Sequence, residues 1–264
     1  MNNNSTSKLA IGIIPARMGS SRFPGKPLAP ILDLPMVGHV YLRSKMSSLL
    51  KEVYVATCDS EIADYIESIG GKSILTKKTH ERASDRTAEA ILKIEQNTGE
   101  KVDIVVMIQG DEPMLNPEMI DESIQAILSS TDINVANLMS TMNSISEFED
   151  KNEIKVVVDL NNYALYFSRK AIPTCNQLEK NSVYKQVCII PFRRDFLMKY
   201  NSIEPTPLEK LESIDMLRCL EHGYKVKMVL TKFETYSVDT PEDLKKVEQL
   251  MKKDNLLIKY ISNI

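Results

Sequence analysis

The sequence predicts an α/β fold: a mostly parallel sheet covered by helices, with an antiparallel extension inserted at about residues 140–190. Three observations predict it. Strand-like runs in the first half are apolar throughout rather than alternating, as in parallel strands buried on both faces. These runs take turns with segments of helical spacing, the rhythm of βαβ units. In the second half, strand-like runs follow one another across short polar turns, as antiparallel strands do. The 264 residues suit one domain, expected to span 8–264, and can bury a core without disulfide or metal staples.

The elements follow in order. LAIGIIPA (9–16) reads as a buried strand and MVGHVYLRSKMSSL (36–49) as a helix. EVYVAT (52–57) is the next strand. SEIADYIESIG (60–70) is a helix, with Ser60 expected as N-cap and Gly70 just past its end. KSILT (72–76) is a strand, RTAEAILKIEQ (86–96) a helix, DIVVMIQGDEP (103–113) a strand ending in a turn, and PEMIDESIQAILSS (117–130) a helix. NVANLMST (134–141), EIKVVVDL (153–160), ALYFSR (164–169), VCIIPFRR (187–194) and KVKMVLT (225–231) read as strands. SIDMLRCLEHG (213–223) and PEDLKKVEQLMKK (241–253) read as helices.

A formal charge of −3 argues against a general nucleic-acid binder, which would be basic. The cysteines Cys58, Cys175, Cys188 and Cys219 are scattered without a CxxC pair, as reduced thiols of a cytoplasmic protein are. MNNNSTSK lacks the apolar core of a signal peptide, and residues 1–7 are expected to form a flexible tail. No stretch is long and apolar enough to span a bilayer, so no membrane partner is expected.

Chemistry concentrates at the predicted strand ends. In open α/β sheets, ligands lie at the carboxyl edge. The segment IIPARMGSSRFPGKPL (13–28) leaves the first strand with Arg17, Arg22 and Lys26 set among glycines and hydroxyls. Backbone N–H groups and cations in such a loop suit a polyphosphate. It is not a Walker A loop, because five residues separate Gly19 from Gly25 and Pro27 follows Lys26. The plainer alternative is a proline-rich loop with solvated charges. IQGDEP (108–113) presents Gln109, Asp111 and Glu112 at a strand tip. Such a tip either holds Mg²⁺ beside phosphate oxygens or is an acidic turn. In YSVDTPEDL (236–244), Thr240, Pro241 and Asp243 form a near capping box, which leaves Asp239 as a possible second carboxylate. Arg86 falls in the first turn of a helix, where a cation opposes the dipole; it either serves a ligand or is solvated. His39, His80 and His222 lack metal-ligand spacing, and His39 reads as a core residue.

Five ordered stretches together resemble the 3-deoxy-manno-octulosonate (Kdo) cytidylyltransferase family, the CMP-Kdo synthetases. They are PARMGSSRFPGKPL (15–28), VMIQGDEPM (106–114), IKVVVDLNNYALYFSRKAIP (154–173), PLEKLESIDMLR (207–218) and VDTPEDL (238–244). The resemblance implies a Rossmann-like nucleotidyltransferase sheet whose antiparallel extension dimerises. It implies an Mg²⁺-dependent enzyme that transfers CMP from CTP to a sugar acid and releases pyrophosphate. Its implied nucleotide site holds Pro15, Ala16, Arg17, Ser20, Lys26 and Arg86. Asp111 and Asp239 would carry Mg²⁺. Arg17, Lys26 and Asp111 would be catalytic. Gln109, Arg169, Gln186, Glu209 and Glu212 would face the acceptor. The implied partners are CTP, the acceptor and a second copy of the chain.

Two stretches depart from the family pattern. HIGIYAYR is replaced by QVCIIPFR (186–193), which puts Gln186 for a sugar-binding histidine and Ile190 for a tyrosine. HxSGT[DE]R is replaced by HERASDR (80–86), which puts Arg82 for serine and Ala83 for glycine. Each lost polar contact to a substrate is worth roughly 0.5–1.5 kcal/mol. A non-Kdo acid is therefore the rival acceptor, and a non-catalytic CTP-binding homologue is the rival from another class.

Overall fold

The structure is a computed structural model describing residues 9–19, 23–175 and 183–261. The tail, the stretch 20–22 with Ser20 and Arg22, and residues 176–182 lie outside the described residues.

The first sheet has the order β11-β6-β1-β4-β5. It is built from β1 (Ala10–Ala16), β4 (Glu52–Thr57), β5 (Ser73–Leu75), β6 (Ile104–Ile108) and β11 (Ile189–Arg193). β6, β1, β4 and β5 are parallel neighbours, and β11 closes the edge antiparallel to β6. Ile13, Ile14 and the whole of β6 are buried, as expected for strands covered on both faces. Burying each such side chain contributes roughly 1.5–3 kcal/mol. The covering helices are α1 (Met36–Ser44), α2 (Ser60–Ser68), α3 (Ala83–Thr98) and α4 (Pro117–Ser129); a two-residue ribbon, β2 (Pro30–Ile31) with β3 (Leu34–Pro35), precedes α1.

The second sheet has the order β12-β7-β10-β8-β9. Its strands are β7 (Ala136–Thr141), β8 (Lys155–Val158), β9 (Ala164–Ser168), β10 (Tyr184–Val187) and β12 (Lys227–Leu230). All its pairings are antiparallel except β12 with β7. The remaining helices are α5 (Ile145–Glu149), α6 (Arg194–Ser202), α7 (Pro207–Glu212), α8 (Met216–Glu221), α9 (Pro241–Met251) and α10 (Asn255–Ile261).

Several expectations change in detail. The run expected as one strand at 187–194 is the second of two: β10 and β11 belong to different sheets, and the chain crosses between them at Cys188. A bridge from Val135 to Phe192 stitches the sheets a second time, near the far end of β11. The N-cap of α2 is Asp59, not Ser60, and Asp59 spends its carboxylate on the Met18 N–H at 2.8 Å. Helix α3 starts at Ala83, three residues before the expected helix at 86–96. The capping box of α9 is as expected, with the Asp243 N–H donating to Thr240 Oγ1 at 3.2 Å.

His39 is a core residue that ties the end of the chain to α1. Its Nε2 faces the Ile31 carbonyl at 2.9 Å and so carries the proton; Nδ1 then accepts from the Tyr260 hydroxyl at 2.7 Å. Burial lowers its pKa to about 4, with the Ile31 carbonyl opposing and the Arg43 charge adding to the fall. Buried Arg43 donates to Tyr260 Oη, to the carbonyls of Met114 and Leu115, and to Asp254.

Candidate active site

The carboxyl ends of β1 and β6 open into two adjoining cavities. The first, about 400 Å³, is lined by Pro15, Ala16, Arg17, Gly19, Lys26, Arg82, Arg86, Gln109 and Asp111, among others. The second, about 370 Å³, shares Arg17, Arg82, Gln109 and Asp111 and adds Glu112, Arg169, Gln186, Cys188, Asp215 and Asp239.

The loop after β1 turns back on Gly25. Its φ of 74° is left-handed, which a side chain would disfavour. The Gly25 N–H donates to the Met18 carbonyl at 3.1 Å, closing the loop on itself. A short 3₁₀ turn, Lys26–Leu28, then brings Lys26 over the tip of β6. Its Nζ lies 2.9 Å from Asp111 Oδ2, 3.4 Å from Asp239 Oδ1 and 2.8 Å from the Val238 carbonyl. Burial would lower the Lys26 pKa; the Asp111 and Asp239 charges outweigh it and raise the pKa. Asp239 reaches this point because the Val238 N–H binds the Asp111 carbonyl at 2.9 Å and Asp243 accepts the Asp239 N–H at 3.1 Å.

Asp111 and Asp239 therefore converge on one cation. Among the described residues no group of three or more His, Cys, Asp or Glu side chains could hold a metal ion. Two carboxylates bordering the second cavity are nonetheless a donor set that Mg²⁺ takes, with phosphate and water supplying the rest. The ammonium of Lys26 faces both of them.

Arg86 is buried, and one of its terminal nitrogens donates to Thr76 Oγ1. The other, Nη2, has no hydrogen-bond partner among the described residues. An unpartnered buried guanidinium nitrogen on a polar cavity is a ligand contact in waiting. Arg17 is exposed and borders both cavities.

The acceptor-side expectations divide. Gln109, Arg169 and Gln186 line the second cavity. Gln186 is nearly buried and donates its amide to Asn137 Oδ1. Arg169 gives Nε, Nη1 and Nη2 to the carbonyls of Glu212, Lys151 and Ser213. Glu209 is placed elsewhere: it is fully buried and forms a two-point ion pair with Arg218 at 2.6 and 2.7 Å. Glu212 is not on the cavity wall either; its carboxylate accepts from Ser168 Oγ at 2.8 Å and the Arg169 N–H at 3.0 Å. Ile190, the departure from tyrosine, packs into the core rather than the cavity.

The sequence reading gave no role to Glu112. It is buried on the second cavity, and its Oε2 has no partner among the described residues. Burial pushes its carboxyl up to about 7, with Lys185 opposing and Asp111 adding. Its position next to Asp111 was the available signal.

Residues 11–232 match the family model described as cytidylyltransferase. The solved structure of a CMP:2-keto-3-deoxy-manno-octonic acid synthetase complexed with CTP superposes with a TM-score of 0.84 at 37% identity, over 93% of this chain and 99% of that one. The fold is thus that of a CTP-using nucleotidyltransferase. The 3-deoxy-manno-octulosonate cytidylyltransferase of Geobacter metallireducens is 41% identical over 252 residues, 91% of this chain and 97% of that relative. The 8-amino-3,8-dideoxy-manno-octulosonate cytidylyltransferase of Shewanella amazonensis is 38% identical over 243 residues, 92% and 98%. The chain belongs to the 3-deoxy-manno-octulosonate cytidylyltransferase family.

Proposed function

We propose that the protein transfers CMP from CTP to Kdo or a related sugar acid, with Mg²⁺ held by Asp111 and Asp239. The observation that carries this reading is the convergence of Asp111, Asp239 and Lys26 at the mouth shared by the two cavities. The first cavity takes the nucleotide, with Arg17, Lys26 and Arg86 toward its phosphates. The acceptor lies in the second, and its hydroxyl attacks the α-phosphorus as pyrophosphate leaves. Catalysis of this kind is placement and charge neutralisation. When bound, Mg²⁺ neutralises charge building on the phosphate oxygens. Lys26 then turns from the carboxylates to the phosphates. Ser20, also expected toward the phosphates, lies outside the described residues.

Gln186 favours a second reading, an acid other than Kdo: it stands on the second cavity and spends its amide on Asn137. We further propose a homodimer formed through the second sheet, supported by Leu160 and Leu165, which stand exposed on the β8–β9 hairpin. Sedimentation at micromolar concentration tests it. Among the described residues no helix is long and apolar enough to cross a membrane. A cytoplasmic location is proposed on the four free cysteines.

Pyrophosphate release with CTP and Mg²⁺ tests the activity across Kdo, 8-amino-Kdo, sialic acid and no acceptor. Release with Kdo or its amino relative is the expected result. Release with another acid alone would select the second reading. Silence across the panel would leave a CTP-binding protein.

A further inference from the structure

Arg82 stands where the two cavities meet and borders both. It is the residue that replaces serine in the pattern HxSGT[DE]R. It occupies the N-cap position of α3 without capping it, and its side chain crosses to the turn between α7 and α8. Nη1 lies 3.1 Å from Asp215 Oδ1 and 3.4 Å from Ser213 Oγ. The other two guanidinium nitrogens donate to no partner among the described residues.

The other arginines of the second cavity differ from it. Arg169 is committed to three backbone carbonyls, and Arg17 belongs to the loop after β1 on the nucleotide side. Asp111, Glu112, Glu153, Asp215 and Asp239 also border this cavity, and of them Asp111 and Asp239 already face Lys26. The Arg82 fork is oriented by Asp215, retains unspent donors, and matches a carboxylate at two points.

We propose that Arg82 binds the carboxylate of the acceptor and is a specificity-determining residue of this chain. The inference rests on the reading that the acceptor is an acid. Asp215 orients the guanidinium, and the Ser213 turn, left-handed at φ 55°, is fixed from the other side by Arg169.

The test is steady-state pyrophosphate release by the full chain and by R82S and R82K, using the acid the wild type accepts and its methyl ester. Serine is a favoured N-cap residue, so R82S keeps the helix start, and thermal unfolding checks the fold. The KM for the acid is expected to rise about tenfold or more in R82S, the scale of a hydrogen bond to a charged group. KM for CTP stays within about twofold, and R82K falls between. The ester should cost the wild type a similar factor and R82S little. An unchanged acceptor KM in R82S, a full penalty for the ester in R82S, or a shift in the CTP KM instead would overturn the proposal. A wild type that uses no acid would defeat the functional reading, and the carboxylate anchor with it.

Discussion

The two cavities share a wall yet are finished differently. On the nucleotide side the protein leaves bonds unmade: Arg86 holds a buried, unpartnered nitrogen, and Arg17 stands exposed. On the acceptor side, residues that the family motif nominates are already engaged. Arg169 serves three carbonyls and Gln186 serves Asn137, while Glu209 lies off the cavity, locked to Arg218. A site that must fit one invariant polyphosphate can hold open donors for it. A pocket that varies in its acceptor is shaped by supports, which leave Arg82 and Glu112 to read the ligand.

The most severe way to break this contrast is Asp111→Ala, which removes a group both cavities use. Pyrophosphate release is expected to fall at least about 10³-fold, with CTP still bound in equilibrium dialysis. Loss of CTP binding in proportion would show that Asp111 is only part of the pocket wall. Next, Glu209→Ala breaks a buried ion pair and should cost about 3–5 kcal/mol in urea unfolding. The residual enzyme should keep its acceptor KM; a large rise would return Glu209 to the pocket.

His39 sharpens the comparison from outside both cavities. Its folded pKa of about 4 lies below the ordinary 6.5, so the unfolded chain binds the proton first. Its contribution is complete above about 6.5 and is lost as pH falls toward 4, about 3 kcal/mol in all. His39→Gln should flatten that part of the stability profile without altering either KM. The smallest effect belongs to Arg86→Met, which keeps bulk and removes the open donors. The CTP KM should rise about tenfold, the worth of one charged hydrogen bond, while the acceptor KM holds.

Legibility in the sequence followed the physics of each feature. The βα rhythm of the first half was readable because strands buried on both faces carry no polar positions. The same uniformity hid the boundary at Cys188, since nothing apolar distinguishes the end of β10 from the start of β11. Helices α5, α6, α7 and α10 were missed; they are short or polar, so their periodicity is weak. In the site, each cluster was visible singly. That Lys26, Asp111 and Asp239 meet was not, because Val238, whose carbonyl Lys26 binds, lies 212 positions further along the chain. Glu209 shows the limit of motif reasoning: its position matches, but Arg218, one loop later, turns the carboxylate inward.

The crossing at Cys188 has a mechanical consequence. A single residue separates β10 from β11, and the Gln109 N–H binds the Cys188 carbonyl at 3.0 Å. With no slack in that joint and the Val135–Phe192 bridge at the other end of β11, the two sheets form one stiff spine. They cannot swing apart to admit a ligand. Movement to admit a ligand is then left to segments outside that frame, such as the turn at Ser213.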